Sequence, residues 1–201
     1  ACRDGQYHRF NCIYKVIPGE GGNRIIGKLN DVNEHVDRED QLKRQAERDP
    51  LTGVSNRTGI QRIDQLLAQE GRGMLFLLDL HDFKGINDTY GHAAGDQALV
   101  GVACALRESC RSEDVVVRLG GDEFALFLSG TDDREVARRK GRELQEQVRG
   151  IQVEGMDRRV TVSVGAAMAP QSGTTFQALS QAADEAMYTV KQGGKGNFAL
   201  K

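Results

Sequence analysis

Three carboxylates stand where chemistry is plausible: Asp79, Asp122 and Glu123. Asp79 closes the apolar run Met74–Leu78, and a carboxylate at the end of such a run is costly unless it is hydrogen-bonded or binds a cation. Capping the next helix is its plainer role. Asp122 and Glu123 follow Gly120 and Gly121 within RLGGDEFALFL, residues 118–128. The glycines supply the positive φ of a short hairpin loop and, lacking Cβ, let another molecule approach the backbone. Alone, an acidic glycine-rich turn is more often a solvated turn than a site. If the strand ending at Asp79 lies beside this hairpin, however, Asp79 and Glu123 converge as hard oxygen ligands, a set that suits Mg²⁺ held together with a phosphate substrate. Phosphoryl or nucleotidyl transfer is the reaction class that needs such ligands.

The pattern from Asp49 onward predicts the elements that must carry these groups. A helix capped by Asn56 presents Ile60, Ile63, Leu66 and Leu67 and ends at Gly71. The strand to Asp79 follows, then DLHDFKGINDTYGHAAGD, residues 79–96, whose density of Asp, Asn, Lys, His and Gly exceeds what turn chemistry alone requires. A short helix around Ile86–Tyr90 precedes a longer one with Leu99, Val102, Ala103, Leu106 and Cys110 inward. Strands near 114–119 and 124–128 form the hairpin. A helix capped by Thr131 or Asp132, a strand over 159–167, a helix from Phe176 to Gly193 and a short strand at 197–200 complete the series. A hairpin between two strand–helix halves predicts an α+β fold with a ferredoxin-like sheet and helices packed on it.

Composition narrows the function. The chain has 201 residues and a formal net charge of -2 with 28% charged residues, so no global basic field favours a nucleic acid polymer and any anion site is local. The longest apolar run falls far short of the ~20 residues of a membrane span, which leaves no membrane contact to expect. Cys2, Cys12, Cys104 and Cys110 show no CxxC pair. Reduced structural thiols in a cytoplasmic setting are the expectation, with Cys104 and Cys110 on the apolar face of a helix.

Ahead of Asp49 the pattern is different. Phe10, Cys12, Tyr14 and Val16 alternate, and a second strand-like run follows at 25–32. This hairpin is too small to bury a core of its own. The run GGNRIIGKLNDVNEHVDREDQL, residues 21–42, resembles the closing strands of a PAS sensory domain, so residues 1–33 are expected to be such a remnant. Residues 34–48 are highly charged with a sparse apolar stripe, Val36, Leu42 and Ala46, as in an exposed linker helix or a short coiled-coil stalk.

Residues 49–201 resemble the GGDEF family of diguanylate cyclases in five ordered motifs: Asp49-Pro50-Leu51-Thr52-Gly53 with Asn56-Arg57, the stretch 79–96, Gly120-Gly121-Asp122-Glu123-Phe124, Ser163-Val164-Gly165, and Lys191-Gln192-Gly193-Gly194-Lys195. The resemblance implies a nucleotidyl cyclase-like fold that condenses two GTP into cyclic di-GMP in a homodimer. It implies that Asp79, Glu123 and the Leu80 carbonyl hold Mg²⁺, with Mn²⁺ an alternative, and that Asp122 is the base. Asn87 and Asp96 would read guanine, whose N1–H and N2–H₂ donors a carboxylate can accept and adenine lacks. Main-chain amides at Phe83 and Lys84 would cradle phosphates, Gly121 would make room for the nucleotide, Lys191 and Lys195 would neutralise charge, and His92 would contact the nucleotide or cap a helix. Arg111 and Asp114 match an RxxD site for inhibition by the product. His81 stands where the family usually has an acid, and Lys195 where it commonly has Arg. The rival expectation is a non-catalytic module that binds GTP or cyclic di-GMP.

Overall fold

The computed structural model describes residues 10–18, 22–31, 46–193 and 198–201, with the backbone alone for 190–193. The chain divides into two units, Ala1–Ala46 and Glu47–Lys201. In the first, β1 (Phe10–Ile17) and β2 (Arg24–Asp31) pair antiparallel, with Phe10 opposite Asp31 and Ile17 opposite Arg24. Phe10, Tyr14, Val16, Ile25 and Leu29 share one face of this ribbon by register and are exposed. The predicted linker helix lies outside the described residues except at its end, where 46 and 47 are helical.

The second unit runs α1 (Gly59–Glu70), β3 (Gly73–Leu80), α2 (Phe83–Tyr90), α3 (His92–Glu108), β4 (Val115–Gly120), β5 (Glu123–Ser129), α4 (Arg134–Arg149), β6 (Val162–Ala169), α5 (Phe176–Gly193) and β7 (Phe198–Leu200). Its sheet has the order β4-β5-β3-β6-β7. The first four strands are antiparallel and β7 runs parallel to β6. The hairpin therefore sits beside β3, as the ferredoxin-like expectation requires.

β3 is central, and that explains its unbroken apolar sequence. A strand covered on both faces has no solvent side to alternate toward. Met74, Phe76 and Leu78 pack with Phe124, Leu126 and the apolar side of α3 and α4; Leu75 and Leu77 pack with Phe127, α1 and α5. Each fully buried side chain of this size contributes about 1.5–3 kcal/mol of transfer free energy.

Local details differ from the sequence expectations in ways that follow from chain chemistry. Asn56 does not start α1 directly. Its Oδ1 accepts from the amide and hydroxyl of Thr58, making a turn that feeds the helix three residues later, at Gly59. Gly71 ends α1 in the left-handed conformation, with its N–H donating to the Leu67 carbonyl, as expected. α4 is capped by Asp133, whose carboxylate accepts from Glu135 and Val136, in place of Thr131 or Asp132. Cys104 is exposed and Cys110 lies beyond the end of α3, half-buried against the core. The expected thiol face is thus not formed. Among the described residues no helix is long and apolar enough to cross a membrane.

Candidate functional site

The sheet end where β3 and β5 finish is the focus. Asp79 is the register partner of Glu123 on one side and of Ser163 on the other, which places the Asp79 and Glu123 Cβ atoms about 4.5–5.5 Å apart. By strand alternation both carboxylates lie on the α1/α5 side of the sheet with Leu75 and Leu77. A cleft of about 460 Å³ opens there beside Glu123, lined also by Leu119, Gln181, Asp184 and Met187.

The hairpin tip is a two-residue turn, Gly121 and Asp122, closed by the pairing of Gly120 with Glu123. Gly120 has φ 143° and Gly121 φ 54°, values that few L-residues tolerate. The Asp122 carbonyl accepts from the Leu80 amide at 3.4 Å, so the tip is tied to the end of β3. It is also braced from behind. The Arg118 guanidinium donates to the Gly121 carbonyl at 2.7 and 3.1 Å and pairs with Asp49 at 3.0 Å, and Arg57 donates to the Leu119 carbonyl. Asp49 also accepts from the Thr52 amide and hydroxyl. Burial pushes the Asp49 carboxyl up, but the Thr52 hydrogen bonds and Arg118 outweigh it and hold the group below its ordinary value.

Beyond Leu80 the chain turns through His81 and Asp82 into α2, which begins at Phe83, so the amides of Phe83 and Lys84 stand at a helix start immediately after the carboxylate row. The His81 ring bonds through Nδ1 to Thr161 and through Nε2 to Ser163, and its amide donates to Thr161. Both ring nitrogens are thereby used to tie β3 to β6. In this chain the position of the family's usual acid is a structural bridge.

α2 and α3 meet at Gly91, and their corner sets the Asn87 amide against Gly95, the residue before Asp96. A Cβ at Gly95 would stand 2.0 Å from the Asn87 Oδ1, so a glycine is required for the Asn87 amide to lie against α3 next to Asp96. Asp96 is exposed. Neither of these two side chains, nor those of Asp122 and Glu123, has a hydrogen bond or ion pair among the described residues. His92 is the first residue of α3 and exposed; Gly91 occupies the cap position, so His92 is no cap. Lys191 falls in the last turn of α5, and Lys195 lies outside the described residues.

At the open end of the hairpin, where β4 starts and β5 finishes, Arg111 and Asp114 form a tight turn. The Arg111 amide donates to Asp114 Oδ2 at 2.8 Å and the Ser129 amide to Oδ1 at 3.2 Å. A cavity of about 260 Å³ there is lined by Arg111, Asp114, Ser129, Arg139, Lys140 and Glu143. Arg139 and Lys140 on α4 were not legible as part of this site, because only the sheet and helix packing brings α4 next to the turn.

Donor chemistry at the sheet end is all oxygen. Among the described residues no group of three or more His, Cys, Asp and Glu could enclose a metal ion, so Asp79 and Glu123 would supply two carboxylates and leave other positions to a carbonyl, water or substrate, as suits Mg²⁺.

A ferredoxin-like sheet with an acidic two-residue hairpin beside a strand-end carboxylate defines the nucleotidyl cyclase-like class. The family model for the GGDEF domain, diguanylate cyclase, matches residues 46–197, and the chain belongs to the GGDEF family. It is 36% identical over 192 residues to the diguanylate cyclase TpbB of Pseudomonas aeruginosa, covering 90% of this chain and 44% of that protein. It is 34% identical over 190 residues to the cyclic di-GMP phosphodiesterase PdeR of Escherichia coli, covering 92% of this chain and 29% of that one. The chain thus spans less than half of these curated relatives. Among solved structures, the coiled coil and GGDEF domain of DgcB from Caulobacter crescentus in complex with c-di-GMP superposes with a TM-score of 0.76 at 26% identity, over 85% of this chain and 93% of that one.

Proposed function

We propose that this chain is a catalytic GGDEF domain that condenses two GTP into cyclic di-GMP and two pyrophosphates. The observation that carries the reading is the row Asp79–Glu123 at the sheet end, with Asp122 on the adjoining turn. Asp79, Glu123 and the Leu80 carbonyl would hold the divalent ion, Mg²⁺ or Mn²⁺, which when bound neutralises phosphate charge and lowers the pKa of the attacking hydroxyl. Asp122 would take the proton of the ribose 3′-hydroxyl. Asn87 and Asp96 would accept the guanine donors, the Phe83 and Lys84 amides and Lys191 and Lys195 would hold the phosphates, and Gly121 would leave room for them. His92, exposed at the start of α3, would reach the nucleotide from the side.

Each domain binds one GTP, so the 3′-hydroxyl of one must meet the α-phosphate of another and two domains must face each other. The turn at Arg111 and Asp114 would take the product as an inhibitor, with the cationic Arg139 and Lys140 suiting its phosphates. The hairpin at residues 10–31 would be the end of a PAS-like sensory domain; its apolar face supports a strand pair that other elements are meant to cover.

The test is incubation with GTP and Mg²⁺, and separately with ATP, with chromatography for a cyclic dinucleotide. Product from GTP alone, lost in Glu123→Gln, is expected. No product from the wild-type chain, with GTP still bound, would establish the rival reading of a non-catalytic nucleotide-binding module. Product inhibition is tested by Arg111→Ala, which should raise the inhibition constant at least tenfold; an unchanged constant overturns that assignment.

A further inference from the structure

α2 is held at both ends by two adjacent residues of one loop. The loop 153–160 is anchored by Val153 and Val160, both buried, and by the half-buried Met156 packed on the core. From this anchored loop Arg158 Nη1 reaches Asp82 Oδ2 at 2.9 Å, at the helix start. Asp157 accepts from the Tyr90 hydroxyl at the helix end, and that hydrogen bond raises the Tyr90 pKa. An eight-residue helix is about 12 Å long, while adjacent Cα atoms are about 3.8 Å apart, so the two side chains diverge to span it.

The start of α2 is also strained. Asp82, at φ 51°, is the one non-glycine residue with positive φ among the described residues, a conformation that aspartate adopts more readily than most L-residues but still at a steric cost that glycine escapes. Its carboxylate lies over Gly85, where a Cβ would meet Oδ1 at 2.4 Å and Oδ2 at 2.5 Å. Arg158, Gly85 and the helix together therefore fix the residue that aims the Phe83 and Lys84 amides.

We infer that Asp157 and Arg158 form a clamp on α2 and that Arg158 is a positioning residue for GTP, acting through the left-handed Asp82 and not by touching the nucleotide. This rests on the proposed function, because α2 carries Asn87 and the phosphate-facing amides of that reading.

A glycine adopts the left-handed conformation at no steric cost, which gives the clamp its test. Binding of 3′-deoxy-GTP with Mg²⁺, which lacks the attacking hydroxyl and is not turned over, is measured by calorimetry for wild type, R158A, D82G and the double variant. Amide hydrogen exchange of α2 is measured on the same proteins without nucleotide, and on D157N. R158A should weaken binding about threefold to tenfold, raise KM for GTP with kcat within about twofold, and speed exchange at the start of α2. D157N should speed it at the end. In the D82G background the effect of R158A on binding should shrink to less than about twofold. R158K, which keeps the charge, should retain most of the affinity. The same loss in both backgrounds would mean that Arg158 acts independently of Asp82, and the inference falls. Unchanged α2 exchange in R158A and D157N also overturns it, whatever the nucleotide data. If the wild type binds no GTP analogue while α2 exchange responds as expected, the proposed function falls and the clamp on the helix stands.

Discussion

Within the proposed function, Asp96 would have the most discriminating role of any single side chain. A carboxylate accepts from the two guanine donors, and an amide in its place offers the donor–acceptor pair that adenine matches. Asp96→Asn should lose at least about tenfold of the preference for GTP over ATP, read as the ratio of kcat/KM values. Cysteine chemistry gives a second prediction. Burial pushes the Cys110 thiol up to about 11, with the Asp114 carboxylate adding to it, while Cys104 is exposed. At pH 8 the thiolate fraction at Cys110 is about two orders of magnitude below that of an ordinary thiol. Iodoacetamide followed by mass spectrometry should therefore modify Cys104 long before Cys110.

At the scale of elements, the site depends on contacts between segments far apart in sequence. Gly95 on α3 leaves the space that the Asn87 amide of α2 fills. Gly95→Ala must displace the end of the Asn87 side chain, which has no hydrogen bond to lose, while the helix gains about 0.5–1 kcal/mol. Stability should therefore change by less than about 1 kcal/mol while KM for GTP rises; urea unfolding and kinetics on the same protein separate the two effects. The Asp49–Arg118 pair joins the segment ahead of α1 to the hairpin tip. Asp49→Asn weakens the brace behind Gly121 and leaves Arg118 without its carboxylate, which should cost about 1–3 kcal/mol by urea unfolding at pH 7. Since the folded pKa of Asp49 is depressed, its contribution is present above the ordinary carboxylate pKa of about 3.9 and is lost as pH falls through the folded value. The acid limb of the wild-type stability curve should therefore be steeper below about pH 4 than that of Asp49→Asn.

For the whole molecule, the proposed condensation joins two separately bound nucleotides, which would make activity depend on encounter. Product formed per chain should rise with protein concentration until the dimer is saturated; a concentration-independent value would count against the paired-domain reading. The sequence by itself determined much of the GGDEF domain: the strand ending on Asp79, the hairpin at Gly120–Phe124 and the helices on either side are written in local periodicity and turn chemistry, which neighbours along the chain control. It placed Asp79 beside Glu123 only conditionally, and the β5-β3-β6 order met that condition. Other features needed the fold. His81 as a bridge to Ser163, Arg118 as the link from Asp49 to Gly121, Arg139 and Lys140 beside Arg111, and Arg158 against Asp82 all join residues that are remote in sequence. Charged and polar residues at such positions read as ordinary surface in one dimension, because a side chain's partner is set by the packing of the sheet and helices and not by its own spacing.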